Sequence, residues 1–170
     1  MDYLWSPWRM HYISNKSDEP QCVFCHACEQ DKDEEYLILH RGKTAFVILN
    51  RFPYTSGHLM VLPYEHRSSY EDLNAETRAE MMELINTATR VIRAVYQPHA
   101  FNLGANIGED AGAGIAAHFH IHLVPRWRGD SNFMTVTAGT RVLPEDLAVS
   151  YRRLREAWGG ISFEEGVLSR

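Results

Sequence analysis

His118-Phe119-His120-Ile121-His122-Leu123-Val124 is the stretch whose reading decides the fold. As a β-strand it points successive side chains to opposite faces, so His118, His120 and His122 share one face and Phe119, Ile121 and Leu123 the other. An apolar face of that kind calls for a sheet packed on a core. Three imidazoles in strict alternation on the opposite face call for chemistry, because histidine titrates near pH 6.5 and serves as base, nucleophile or metal ligand. A half-exposed strand whose histidines alternate by chance is the plainer reading, and three in a row make it the weaker one. Upstream, Gly104, Gly108, Gly112 and Gly114 alternate with Ala111, Ala113, Ala116 and Ala117. Such small residues let backbone N–H groups approach an anion, which suggests a phosphate beside a nucleophile.

The rest of the 170 residues bounds the setting: 45% hydrophobic, 23% charged, formal net charge −5. These values suit a single globular domain over residues 1–170, with nothing that attracts nucleic acid as a whole. No apolar run is long enough to span a bilayer and Met1–Trp5 lacks the regions of a signal peptide, so no membrane partner and a cytoplasmic location are expected. All 3 cysteines, Cys22, Cys25 and Cys28, cluster together, which in a reducing compartment reads as metal binding. The Cys22-x-x-Cys25 pair needs further ligands from His26, Cys28, His66 or His118 to complete a tetrahedral zinc site.

In chain order, residues 1–20 are rich in aromatics and are expected to dock on the domain or on a second subunit. Tyr36–His40 and Thr44–Leu49 read as a hairpin turning at Arg41-Gly42-Lys43, and a further strand runs from His58 to Leu62. Met81, Leu84, Ile85, Ala88, Val91, Ile92 and Val95 recur at helical spacing, predicting an amphipathic helix from about Asn74 to Tyr96 with Asn74 as N-cap. Ala100–Ala105 reads as a strand leading into the glycine-alanine loop, and Pro144–Trp158 as a closing helix in a C-terminal segment that ends in a tail. The fold class is therefore α+β, with the long helix packed on one face of the sheet.

Asn106, the glycine-rich loop and His118-x-His120-x-His122-Leu123-Val124 resemble the signature of the histidine triad (HIT) superfamily of nucleotide hydrolases and transferases. The stretch Phe46–Pro63 resembles that family's nucleoside-binding hairpin. The segments Leu4-Trp5-Ser6-Pro7-Trp8-Arg9-Met10 and Arg126–Met134 resemble the longer bacterial branch that includes diadenosine tetraphosphate phosphorylases. The resemblance implies an antiparallel sheet of about five strands and a homodimer or higher homo-oligomer. It also implies cleavage of a nucleoside polyphosphate or phosphoramidate at the α-phosphate through a nucleotidyl-histidine, with water or phosphate as acceptor. His120 would be the nucleophile and His122 a donor to phosphate or leaving group. Asn50 would bond the ribose, and Asn106 with the backbone around Gly112, Gly114 and Ile115 the phosphate. A structural zinc would take Cys22, Cys25, His66 and His118. One departure is visible: Ala113-Gly114-Ile115-Ala116-Ala117 lacks the Gln and the Ser or Thr that the family usually carries there. A nucleotide-binding regulatory module with slow turnover is the alternative function.

Overall fold

The computed structural model describes residues 22–130 and 145–160. The expected N-terminal docking segment, Ser131 to Met134 and the tail beyond residue 160 lie outside the described residues.

Two short helices, α1 (Val23–Glu29) and α2 (Asp33–Tyr36), precede strands β1 (Ile38–Arg41), β2 (Ala45–Leu49) and β3 (Leu59–Pro63). Then come the long helix α3 (Ala75–Tyr96), β4 (Ala100–Gly104), β5 (Ile121–Arg126) and α4 (Leu147–Gly160). The five strands form one sheet in the order β1-β2-β3-β5-β4, every neighbouring pair antiparallel. This is the expected α+β architecture. Among the described residues, no helix is long and apolar enough to cross a membrane.

The long helix forms where its pattern placed it. Asn74 caps it, its side chain accepting from Thr77 N–H at 2.8 Å. Gln97 ends it in the left-handed region at φ 47°. Met81, Leu84, Ile85, Ala88, Val91 and Ile92 are buried against β2 and β3. Each fully buried side chain of this size contributes about 1.5–3 kcal/mol. On α4, Tyr151, Leu154 and Trp158 face inward and Arg152, Arg153 and Arg155 outward, as the amphipathic pattern required.

β2 and β3 are buried along their whole length, which matches their unbroken apolar runs. Their connection to β1 is a tight turn clamped by Glu80 of α3. Its carboxylate accepts from Lys43 N–H at 2.6 Å, from Thr44 N–H at 2.5 Å and from the Thr44 hydroxyl. A Cβ on Gly42 would meet that carboxylate at 2.6 Å, so the turn needs glycine.

Several boundaries differ from expectation: the closing helix runs over Leu147–Gly160, with Pro144 outside the described residues, and β3 runs over Leu59–Pro63. Tyr36 ends a helical turn, and β1 begins after Leu37, which sits at φ 65° as the C-cap of α2. The expected strand over the triad stretch is shorter than its alternation suggested: His118 lies in a bend and the strand starts at Ile121, so only His122 of the three lies in the ladder. The reason is that the preceding backbone bonds elsewhere: Phe119 N–H donates to Arg67 O at 2.6 Å and His118 N–H to Ile115 O at 3.4 Å. Phe119 and Leu123 are buried as expected; Ile121 is only half-buried.

Candidate functional site

The strand ends and the first helix converge on one cavity of about 670 Å³. α1 has only seven residues, too short to hold itself, and is tied at its C-terminal end by Arg41, which donates to Cys28 O at 2.9 Å and Gln30 O at 2.8 Å. Its buried face presents Phe24 and Ala27 to the cavity. The opposite wall comes from Leu37, Ile48, Leu49 and Met60. All seven residues expected to hold a nucleotide line this space: Asn50, Asn106, Gly112, Gly114, Ile115, His120 and His122.

Hydrogen-bond partners fix which nitrogen of each imidazole carries its proton. His120 Nδ1 lies 2.8 Å from the carbonyl oxygen of His118, so Nδ1 is the donor and Nε2 keeps its lone pair. His118 Nε2 donates in the same way to Pro63 O at 3.0 Å, which leaves Nδ1 of that ring as a ligand atom. His122 is governed by His58, which reading the sequence missed. Tyr54 N–H donates to His58 Nδ1 at 3.1 Å, so the His58 proton sits on Nε2. That proton points at His122 Nδ1, 3.0 Å away, and the His122 proton must then reside on Nε2. A fully buried His58 beside Gly57 looks from sequence like any strand-opening residue; its partner is remote along the chain.

Burial keeps these rings neutral. It pushes His120 below its ordinary value, and burial together with the neighbouring His120 pushes His122 from 6.5 down to about 4. A neutral row of imidazoles offers one lone pair at His120 Nε2 and one N–H at His122 Nε2, with ring centroids 4.9 Å apart.

Asn50 stands just past β2 at the cavity wall. Its Oδ1 accepts from Phe52 N–H at 2.9 Å, holding the turn, and its Nδ2 lies 3.4 Å from His58 Nε2 and 3.7 Å from Met60 Sδ. In the loop, Gly112 adopts φ 86°, and its N–H donates to Glu109 O at 2.8 Å. Gly112 therefore shapes the loop, and Gly114 and Ile115 line the cavity beside it.

Behind Phe24 lies a second cluster. Cys22, Cys25, His66 and His118 bring their ligand atoms within 4.8 Å of one another. Cys25 Sγ is 3.3 Å from His66 Nδ1 and 3.6 Å from His118 Nδ1, and Cys22 Sγ is 3.5 Å from His118 Nδ1. Tetrahedral zinc with ordinary Zn–S and Zn–N lengths sets sulfur–nitrogen edges of about 3.6 Å. The donor set fits a metal ion. Of the four ligand candidates left open beyond the cysteine pair, His26 and Cys28 turn elsewhere: His26 Nε2 meets Tyr36 Oη at 3.2 Å, and Cys28 is absent from the cluster. Burial first, and then the neighbouring Cys22, push the Cys25 thiol up to about 11. A bound cation reverses that preference by holding the thiolate.

Comparison with known proteins agrees with this geometry. A model of the HIT domain family matches residues 32–129. An AP-4-A phosphorylase of Mycobacterium tuberculosis is 43% identical over 163 residues, covering 91% of this chain and 83% of that protein. An asymmetrical bis(5'-nucleosyl)-tetraphosphatase of Schizosaccharomyces pombe is 28% identical over 93 residues, 55% of this chain and 50% of that one. Among solved structures, a Zn-bound histidine triad family protein from Mycobacterium smegmatis superposes with a TM-score of 0.67 at 30% identity, over 82% of this chain and 94% of that one.

Proposed function

This chain belongs to the HIT domain family, and on that premise we propose that it cleaves a dinucleoside polyphosphate or related nucleotide at the α-phosphate through a nucleotidyl-His120 intermediate. The observation that carries the reading is the His120 Nδ1 bond to His118 O, which leaves Nε2 as a nucleophile inside the cavity. Its lone pair attacks the α-phosphorus and the bond to the leaving phosphate oxygen breaks. The Nδ1–H to carbonyl bond stabilises the positive charge that develops on the ring. His122 Nε2–H stands ready to donate to the departing oxygen, and His58 holds it in that form. Asn106 and the loop at Gly114 and Ile115 bind the non-bridging oxygens, an electrostatic role that phosphoryl chemistry rewards. Asn50 takes the ribose.

The acceptor in the second half is water or phosphate. Water releases a nucleoside monophosphate; inorganic phosphate releases a nucleoside diphosphate. The M. tuberculosis relative, a phosphorylase by name, supports phosphate. Assaying diadenosine tetraphosphate and a panel of nucleotide substrates with and without phosphate tests the function: AMP together with ATP from diadenosine tetraphosphate establishes hydrolysis, and ADP together with ATP, formed only when phosphate is present, establishes phosphorolysis. No turnover of any member, with nucleotide still bound, establishes the slow-binding module instead. One observation favours that second reading: Ala116 and Ala117 bring no side-chain donor to the phosphate loop.

Cys22, Cys25, His66 and His118 hold a structural zinc ion in this reading: four protein ligands close its shell and leave no site for substrate. A reducing cytoplasm keeps both cysteines available as ligands. The exposed edge strand β4, with Leu103 half exposed, supplies a surface for homodimer formation.

A further inference from the structure

Beyond the groups assigned to phosphate and ribose, the cavity has further polar lining residues: His26, Tyr36, Arg51 and Tyr54. His120, His122 and Asn106 serve the phosphate end, and Asn50 adjoins them. His26 and Tyr36 line the same cavity from α1 and α2, His26 exposed and Tyr36 half-buried. Their polar atoms meet at 3.2 Å and their rings pack edge to face at 5.7 Å. Tyr36 is fixed in place: Leu37 after it turns the chain at φ 65°, and Leu37 O receives Leu49 N–H at 3.0 Å. Arg51 braces the same segment by donating to Glu35 O at 3.2 Å. The apolar surfaces of Phe24, Ala27, Ile48 and Met60 line the same cavity and suit a flat heteroaromatic ring. Apolar walls accept any ring of the right thickness; discrimination needs polar atoms at its edge.

We propose that His26 and Tyr36 form a reading pair for the six-position edge of a purine base. This deepens the nucleotide reading of the same cavity and rests on it. A phenol both donates and accepts, and a neutral imidazole carries one of each. Tyr36 Oη is the atom that meets the six-substituent: when its proton goes to His26 Nε2 it accepts from the amino group of adenine, and when His26 Nε2–H donates to it its own proton is free to donate to the oxo group of guanine. The pair therefore serves both bases and penalises a ring that lacks the six-substituent.

The test is equilibrium binding of AMP, GMP and purine riboside 5'-monophosphate, whose ring is the same without the amino or oxo group. Titrations use the metal-loaded full chain, Tyr36→Phe and His26→Gln, with metal content measured in each. Wild type should bind AMP and GMP about five- to tenfold more tightly than the riboside monophosphate, the effect of one or two neutral hydrogen bonds. Tyr36→Phe should bind all three within about twofold of one another, near the wild-type affinity for the riboside, and His26→Gln should narrow the gap with metal content unchanged. Equal wild-type affinity for all three, or a Tyr36→Phe loss shared equally by all three, overturns the reading pair while the nucleotide function stands. Failure of the wild type to bind any of them overturns both.

Discussion

The carbonyl oxygen of His118 accepts a 2.8 Å hydrogen bond from His120 Nδ1, so one residue joins the Cys22, Cys25 and His66 cluster with its ring and orients the proposed nucleophile with its backbone. The two histidines differ in what their loss should do.

His120→Ala should lose at least about four orders of magnitude in turnover, because binding alone cannot replace a covalent step. Affinity for a nucleotide product should change little, and wild type should trap an acid-labile, base-stable nucleotidyl adduct that the variant lacks. His118→Ala should instead lower the melting temperature. A His120→Ala enzyme retaining a tenth of wild-type turnover rules the covalent route out.

His58→Ala removes the donor that holds His122 as the Nε2–H tautomer. Turnover should fall roughly 10- to 100-fold, the usual range for loss of an outer-shell orienting partner. The defect should shrink on a substrate whose leaving group needs no proton. A uniform loss across leaving groups would place His58 in packing alone.

The pH profile follows from burial. Only neutral imidazoles serve, and burial with the adjacent His120 pushes His122 from 6.5 to about 4, with burial lowering His120 as well. The value of kcat/KM should show no inflection at pH 6.5 and should fall on the acid side below it. Stability shares the sign. An unfolded His122 takes up a proton near pH 6.5 while the folded one stays neutral until about 4. Folding therefore weakens as pH drops through that window. An inflection at 6.5 in kcat/KM would mean the rings are not desolvated in solution.

Chelation tests the metal cluster. Gently purified protein should carry close to one equivalent of zinc, and removing it should lower the melting temperature, since ligand binding to the folded state adds to its stability. His66→Ala should weaken metal retention with a smaller structural cost than His118→Ala, because His66 is exposed and His118 buried. Metal analysis well below half an equivalent, or a Cys22–Cys25 disulfide in a reduced preparation, would refute the site.

Most of the fold could be read in advance, because long periodic elements announce themselves. The Met81–Ile92 stripe and the apolar runs of β2 and β3 are of this kind. α1 could not be, since seven residues span barely two turns and its cysteines draw the eye to metal. The start of β5 was obscured because alternation shows which face a side chain takes, not where the ladder begins; Phe119 N–H bonding to Arg67 O decides that. The triad and the cysteine pair declared their chemistry through spacing. His58 did not, because its meaning comes from a partner in a strand paired with its own, Leu59 with Leu123.

The position of β5 between β3 and β4 also governs the order in which this protein can acquire activity. β1, β2 and β3 pair with their neighbours in sequence, at low loop-closure cost. The pairing of β3 with β5 closes a far longer loop, and it alone brings His122 beside Met60 and toward His58. A chain paused before that closure holds a preformed meander and no competent imidazole row. In refolding experiments recovery of turnover should therefore coincide with the slowest phase of sheet formation, and turnover that returns before β3 and β5 pair would refute this dependence.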